Sequence, residues 1–398
     1  MSRRVVVTGW GAVTPIGVNA RQTWQSLMAG RSGVGPIRRF DATGFPVTFA
    51  AEVALEADDG ADLKSQLTAL ALEEALDQAG ELPYSPDRLG VCVGSEAARP
   101  PLGSIARRFR LSEPPTWAEM QAASPDAPTR QIAARLGARG PRTTVSTACT
   151  SSSQAVGEGY LRIVRGEVDA MIVGGVDVLV DPLMVSGFAL LGALSTRNEA
   201  PARASRPFDV ARDGFVLGEG AGFLVLESAD GALRRGATPL VELSGFGCSC
   251  NAYRITDSPP DGRGAAQAME IAIADAGLQP EDIGYINAHG TSTPMNDVSE
   301  TRGIHRCFGE HRVPVSSTKS MMGHLVAACG AVEAIVTGFA IREGMLPPTI
   351  NLDNPDPECD LEHIPHRPRK ARIDHALTNA FGFGGSNGSL VLSRWGAR

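Results

Sequence analysis

Thr143-Thr-Val-Ser-Thr-Ala-Cys149-Thr-Ser-Ser-Ser-Gln-Ala-Val-Gly157 begins as a short β-branched strand and changes character at a run of hydroxyls. Beyond it, Ala155, Val156, Tyr160, Ile163 and Val164 recur at helical spacing, which predicts a helix starting just after Cys149. Residues 313–344 read the same way, as strand, small polar turn and helix, with a stripe of Val332, Ile335, Val336 and Phe339. This echo predicts two related halves, 1–245 and 246–398, dividing near Gly245. No charge block or low-complexity linker separates them, so they should pack as one body.

Short apolar runs at residues 5–8, 89–93, 170–173, 223–226, 285–287 and 389–392 read as buried strands. Helical patterns lie between them, at 67–79, 265–276 and 332–341. Strands alternating with helices predict an α/β protein with a largely parallel sheet. The Pro-rich stretches 114–128 and 347–357 read as ordered excursions over the surface.

With 398 residues, 43% hydrophobic and 20% charged, the chain has the composition of a soluble globular protein. No apolar run approaches the roughly 20 residues that span a bilayer, and the first residues lack the apolar stretch of a secretory signal. The expected location is the cytoplasm. Seven scattered cysteines argue against a disulfide framework, and most are expected to be small buried hydrophobes. Cys248 and Cys250 form a C-x-C pair with nothing nearby to complete a zinc site. A net charge of -7 excludes general nucleic-acid binding. Arg107, Arg108 and Arg110 are the densest basic cluster and a candidate docking patch for an acidic partner. Only three lysines occur, at 64, 319 and 370. Lys319, in a polar stretch with a histidine, invites a specific role.

Four segments carry candidate chemistry. Cys149, at a helix start flanked by Ser and Thr, meets unpaired N–H groups and the positive end of the dipole, which favour the thiolate and a nucleophilic role. Asn287-Ala-His289-Gly-Thr-Ser-Thr293-Pro ends a strand in an imidazole followed by hydroxyls. Thr318-Lys319-Ser-Met-Met-Gly-His324 reads as the opening of a helix, whose dipole should keep His324 neutral and an N–H donor. Phe381-Gly-Phe383-Gly-Gly385 allows close approach of backbone N–H groups to a ligand, with Phe383 a bulky gate. Val7-Thr-Gly9-Trp-Gly11 lacks the third glycine and the acidic residue of a dinucleotide fingerprint.

Taken in order along nearly the whole chain, these motifs resemble the β-ketoacyl-acyl carrier protein synthases, the elongating type II class within the thiolase superfamily. Arg206-Pro-Phe-Asp-Val-Ala-Arg-Asp-Gly-Phe215 and Asn351-Leu-Asp-Asn-Pro also read as family sequence. The resemblance implies a five-layer αβαβα fold from two related halves, dimerised through the N-terminal half. It implies that Cys149 takes an acyl group from an acyl carrier protein and that the malonyl-carrier protein loses CO2 to give the attacking enolate. His289 and His324 would donate to the enolate oxygen, and the N–H groups of Cys149 and Phe383 would form the oxyanion hole. Lys319 and Glu333 match positions that support the histidines, and Thr291 and Thr293 those lining the pantetheine channel. No metal or cofactor is implied. Partners would be phosphopantetheine-loaded carrier protein and a second subunit, identical or related.

Departures from the family pattern fall at Gly94-Ser-Glu-Ala97-Ala-Arg-Pro-Pro, where Ala97 replaces a bulky aliphatic lining the acyl pocket, and at residues 117–129. They point toward a specialised polyketide or polyene synthase. Three other readings compete: a catalytically silent chain-length factor, which would lack Cys149; a thiolase, which would carry a second cysteine where Phe381 and Phe383 stand; and a Cys-His hydrolase with His289 as base.

Overall fold

The computed structural model describes residues 3–56, 60–98 and 102–397, with side chains undescribed at 60–61 and 102–105. In chain order the main sheet is built from β1 (Val5–Val13), β2 (Leu89–Gly94), β3 (Arg142–Val145), β4 (Ala170–Asp177), β5 (Gly220–Ser228), β6 (Val241–Cys250), β7 (Ile283–Asn287), β8 (Pro314–Ser316), β9 (Glu362–His363), β10 (His375–Phe381) and β11 (Ser386–Ser393). The helices that position the site are α1 (Gly60–Ala79), α2 (Leu102–Leu111), α3 (Trp117–Ala123), α4 (Ser151–Val164), α5 (Pro182–Leu190), α6 (Arg263–Asp275), α7 (Pro294–Phe308), α8 (Lys319–Met322) and α9 (Cys329–Glu343).

Hydrogen bonding orders the strands β9-β8-β7-β10-β11-β6-β1-β5-β4-β2-β3. Read from the edge toward the centre, β3-β2-β4-β5-β1 on one side is matched by β8-β7-β10-β11-β6 on the other, so the same five-stranded unit is built twice. The halves meet where β1 runs antiparallel to β6, Val6 opposite Glu242. The expectation of a largely parallel sheet needs correction. Pairs at the two ends are parallel, but the central ones, from β4 through β5, β1, β6 and β11 to β10, are antiparallel. Buried apolar runs look alike in either sense when both faces are covered, and here they are.

The covering helices make five layers. One outer face of the sheet carries α1 against β1 and β5; the other outer face carries α6 against β6 and β11, with α7 beside it. Between the two sheet halves lie α4 and α9, which touch each other and strands of both. Of these two, α9 is buried on every side from Cys329 to Ile341 and is apolar around most of its circumference, as such a helix must be. Trp10 and Trp24 close on Phe339 of α9, with ring centroids 4.9 and 5.4 Å apart.

The glycines of the rejected dinucleotide motif have a packing role. A Cβ on Gly9 or Gly11 would overlap the carbonyl oxygens of Ala75 and Ala71 on α1. Gly245 and Gly247 stand in the same relation to Ala272 and Ala268 of α6. Bare strand backbone thus lets an Ala-lined helix lie directly on it, once in each half. Gly245, where the sequence suggested a division, lies inside β6.

The Pro-rich stretch 114–128 contains a helix, α3, whose residues are exposed apart from partly buried Ala123. Among the described residues, no helix is long and apolar enough to cross a membrane. All seven cysteines are free; five are buried, as expected of most of them, and Cys248 and Cys250 are exposed on β6.

Candidate active site

Where β3 hands over to α4 the chain makes a strained turn. Ala148 adopts φ 52°, and residues 148–150 form one 3-10 turn before Ser151 begins the helix. A left-handed non-glycine residue costs on the order of 1–3 kcal/mol, so the surrounding hydrogen bonds must over-determine this conformation. The second half repeats the device: Val326 has φ 46°, residues 326–328 form a 3-10 turn, and α9 follows.

His324 precedes this second turn and does not head the helix, contrary to the sequence expectation. Gly323, at φ 70°, ends α8, and His324 is held extended: its N–H donates to Val216 O at 2.7 Å and its carbonyl accepts from Gly218 N–H at 2.9 Å. Its neutrality has another source than the dipole. Burial first, then the nearby Lys319 ammonium, hold the imidazole well below its ordinary value. Val326 N–H donates to Nδ1 at 3.1 Å, which assigns the ring proton to Nε2. That Nε2 lies 3.0 Å from Cys149 Sγ.

His289 follows β7 by two residues. Its backbone N–H and that of Gly290 both donate to the Glu300 carboxylate, at 2.8 and 2.7 Å, and Asn379 Nδ2 adds a third bond at 3.1 Å. The ring stands edge-on to His324, with centroids 5.3 Å apart, and to Phe381 at 5.7 Å. Its Nδ1 is buried without a hydrogen-bond partner. Burial, then Lys319 and His324, keep this imidazole uncharged as well. Donor atoms of Cys149, His289 and His324 all lie within 4.8 Å of one another.

A thiol and two imidazoles at such spacing are ligand types that zinc accepts. The Lys319 ammonium, which adds to burial in keeping both rings uncharged, would equally repel a metal cation, and the arrangement suits hydrogen-bond donation better. That ammonium is not a solvated surface group. Lys319 is buried and pairs with Glu333 at 2.5 Å. Burial lowers the Lys319 pKa, but Glu333, with Cys329 and Glu300 acting in the same sense, leaves it raised. Burial pushes the Glu333 carboxyl up to about 7 against the pull of Lys319.

For Cys149 the outcome differs from the thiolate expected at a helix start. Burial pushes the thiol up to about 12; Lys319 and the N–H groups of Phe383 and of Cys149 itself pull the other way, and Glu96 adds to the rise. The desolvation of a buried sulfur, on a residue 8% exposed, outweighs the helix terminus, and the resting group is a thiol.

Phe383 is partly buried on the loop joining β10 to β11. Its ring begins a row that runs to Phe188 on α5 (6.4 Å between centroids), Phe215 (5.4 Å) and His324 (5.3 Å). Thr291 and Thr293 join hydroxyls at 2.9 Å, and Thr293 also caps α7. Ala97 is partly buried just beyond β2. Glu96 beside it, which the sequence did not single out, accepts from Ala148 N–H at 3.2 Å. Glu300 was likewise missed; nothing in local spacing ties a carboxylate on a later helix to the His289 turn. The basic cluster on α2 is partly neutralised, Arg107 by Glu113 and Arg108 by Glu119.

Comparison with known proteins agrees with this architecture. Residues 2–232 match the family model "Beta-ketoacyl synthase, N-terminal domain" and residues 240–353 match its C-terminal domain. The 3-oxoacyl-[acyl-carrier-protein] synthase 2 of Synechocystis sp. is 43% identical, over 99% of this chain and 98% of that protein. The Staphylococcus aureus (strain COL) protein of the same name is 38% identical, over 100% and 99%. A β-ketoacyl synthase from Burkholderia phymatum superposes with TM-score 0.90 at 34% identity, covering 98% of this chain and 99% of that one. A type II polyketide ketosynthase, solved with its acyl-carrier protein and bound to a hexaketide, superposes with TM-score 0.90 at 32% identity, over 99% and 100%. The five-layer fold, the paired strained turns and these full-length matches together place the chain in the β-ketoacyl synthase family.

Proposed function

We propose that the chain is a β-ketoacyl-acyl carrier protein synthase that condenses an acyl group on Cys149 with a malonyl group on an acyl carrier protein. The observation that carries the reading is the hydrogen bond from Val326 N–H to His324 Nδ1, which assigns the ring proton to Nε2, 3.0 Å from the sulfur. A ring so held is a donor and cannot serve as base toward the thiol, which disfavours the Cys-His hydrolase. His289, the base that reading required, is not the ring bonded to the sulfur. The presence of Cys149 weighs against a silent chain-length factor.

In the first step the sulfur attacks the acyl thioester carbonyl and its proton leaves with the pantetheine thiol of the carrier. N–H groups of Cys149 and Phe383, both facing the sulfur, receive the carbonyl oxygen. In the second, malonyl thioester loses CO2, and the electron pair passes to the thioester oxygen, stabilised by the uncharged N–H donors His289 and His324. The enolate carbon then attacks the acyl-Cys149 carbonyl. The Cys149 thiolate departs and takes a proton that comes ultimately from solvent water, leaving a β-ketoacyl group on the carrier. Lys319 and Glu333 support the histidines, Thr291 and Thr293 line the pantetheine channel, and Ala97 and Phe381 line the acyl pocket, with Phe383 as its gate. No cofactor takes part in this scheme.

The halves 1–245 and 246–398 are proposed as the domains, with dimerisation through the first and the cytoplasm as location. Two solved relatives support an identical or related second subunit: the ishigamide ketosynthase/chain length factor, TM-score 0.89, and a Xenorhabdus doucetiae ketosynthase in complex with its chain length factor, TM-score 0.83. Such likenesses and Ala97 favour polyketide or polyene chains; the curated relatives favour fatty acids.

The test is mass spectrometry of acyl groups trapped on Cys149 from a panel of acyl-carrier proteins. Cys149→Ala should lose all labelling. His289→Ala and His324→Ala should keep labelling but release CO2 from malonyl-carrier protein about 10²–10³-fold more slowly. Labelling retained without Cys149, or decarboxylation untouched in both histidine variants, would refute the scheme.

A further inference from the structure

Behind the two strained turns lies a group of charges the reaction does not use. Lys64 of α1 is 3% exposed and Asp177, the last residue of β4, is fully buried. β2 and β4 are parallel neighbours, aligned Gly94 to Gly175, so Glu96 and Asp177 emerge side by side from their C-terminal ends. The Glu96 carboxylate accepts from Ser146 Oγ at 2.8 Å, Ala148 N–H at 3.2 Å and Ser151 Oγ at 3.4 Å, gripping the Cys149 turn on both sides. Asp177 accepts from Ala327 N–H at 3.2 Å, inside the turn whose Val326 N–H fixes the His324 ring. Lys64 Nζ joins them, donating to the Glu96 carbonyl and lying 3.5 Å from Asp177 Oδ1.

We propose that Lys64, Glu96 and Asp177 form a clamp holding the Cys149 and His324 turns in register, with Glu96 the positioning residue for the nucleophile. This rests on the reading of Cys149 as the acylated group. Each turn carries a residue in a left-handed conformation, and each has an amide within it bound by a carboxylate; one buried ammonium links the two carboxylate residues. The 3.0 Å spacing of sulfur and Nε2 is then set from behind, by three side chains from α1 and two strand ends. The clamp also leaves a charge near the sulfur. The charged and titratable groups that face Cys149 are His324, His289, Lys319, Cys329 and Glu96, and Glu96 opposes its ionisation.

The experiment follows iodoacetamide alkylation of the full chain at pH 8, cysteine by cysteine, by peptide mass spectrometry. In Glu96→Gln, Cys149 should alkylate about threefold faster, the equivalent of half a pKa unit. Buried Cys92 and exposed Cys248 should not change. A Cys149 rate that stays put, or a Cys92 rate that rises with it as in general loosening, overturns the assignment. In Lys64→Met, condensation kcat should fall roughly tenfold or more with KM for carrier-bound substrate unmoved, since misplacing reacting groups is costly. Where that variant fails to fold because buried Asp177 loses its countercharge, Lys64→Met with Asp177→Asn removes both charges and replaces it. A folded variant turning over within about twofold of the parent refutes the clamp, being far below the cost of a misplaced site. Acylation of unsubstituted Cys149 is measured alongside: its absence defeats the nucleophile reading, while its presence with unmoved variants defeats only the clamp.

Discussion

Glu300 and Glu333 are fully interior carboxyls, and burial pushes each up to about 7 from an ordinary 4.5. A carboxyl raised in the folded state contributes stability that is full below its unfolded value and is lost as pH rises through its folded one. Each should therefore weaken the fold progressively between about pH 4.5 and 7, while the two uncharged histidines act in the opposite sense below their ordinary 6.5. Urea denaturation of Glu300→Gln and Glu333→Gln, compared with the parent across this range, should show the gap drifting in favour of the variants as pH rises. A constant gap would mean that neither proton is held. Ala97 is the residue expected to set substrate length. Each methylene admitted to an apolar pocket gains roughly 0.8 kcal/mol. Ala97→Ile should accordingly shorten the longest primer that acylates Cys149 and spare short ones; an unchanged limit removes residue 97 from the pocket. At this scale Cys149, His289, His324 and Lys319 were legible because local motifs carry them. Glu96, Lys64, Asp177 and Glu300 were not, since their partners come from distant strands and no spacing announces them.

Elements were legible where one period persisted. The apolar runs and stripes located strands and helices well, but strand direction is decided by which long connection returns to which edge. Hence the antiparallel centre of the sheet was missed. The start of α9 was also misplaced, because the left-handed turn at Val326 interrupts a path that the apolar stripe makes look continuous. Gly11, read first as a failed phosphate-loop residue, belongs to the contact between β1 and α1. Gly11→Ala should push the helix off the strand at a cost of about 1–3 kcal/mol, the usual penalty of overpacking. The urea midpoint reports this, and Gly247→Ala should match it in the other half. No shift in either variant would mean the helices ride higher than they do here.

Across the whole molecule, the echo between residues 143–166 and 313–344 proved the most informative feature of the sequence, since the strand order repeats in the same way. What it could not reveal is how unequal the two units are in chemistry. Cys149 is the second residue of its 3-10 turn, and Ala327 is the second residue of the matching one. One seat carries sulfur and its twin carries a methyl group. On the proposed mechanism the consequence is one of stoichiometry: the paired turns offer one sulfur between them, so the site holds one acyl group at a time and is free for the next only once condensation has released Cys149. Mass spectrometry of a Cys248→Ser/Cys250→Ser variant under saturating acyl-carrier protein should therefore show one added acyl mass per polypeptide, located on Cys149, and a second acyl group in the site would refute this single-seat reading.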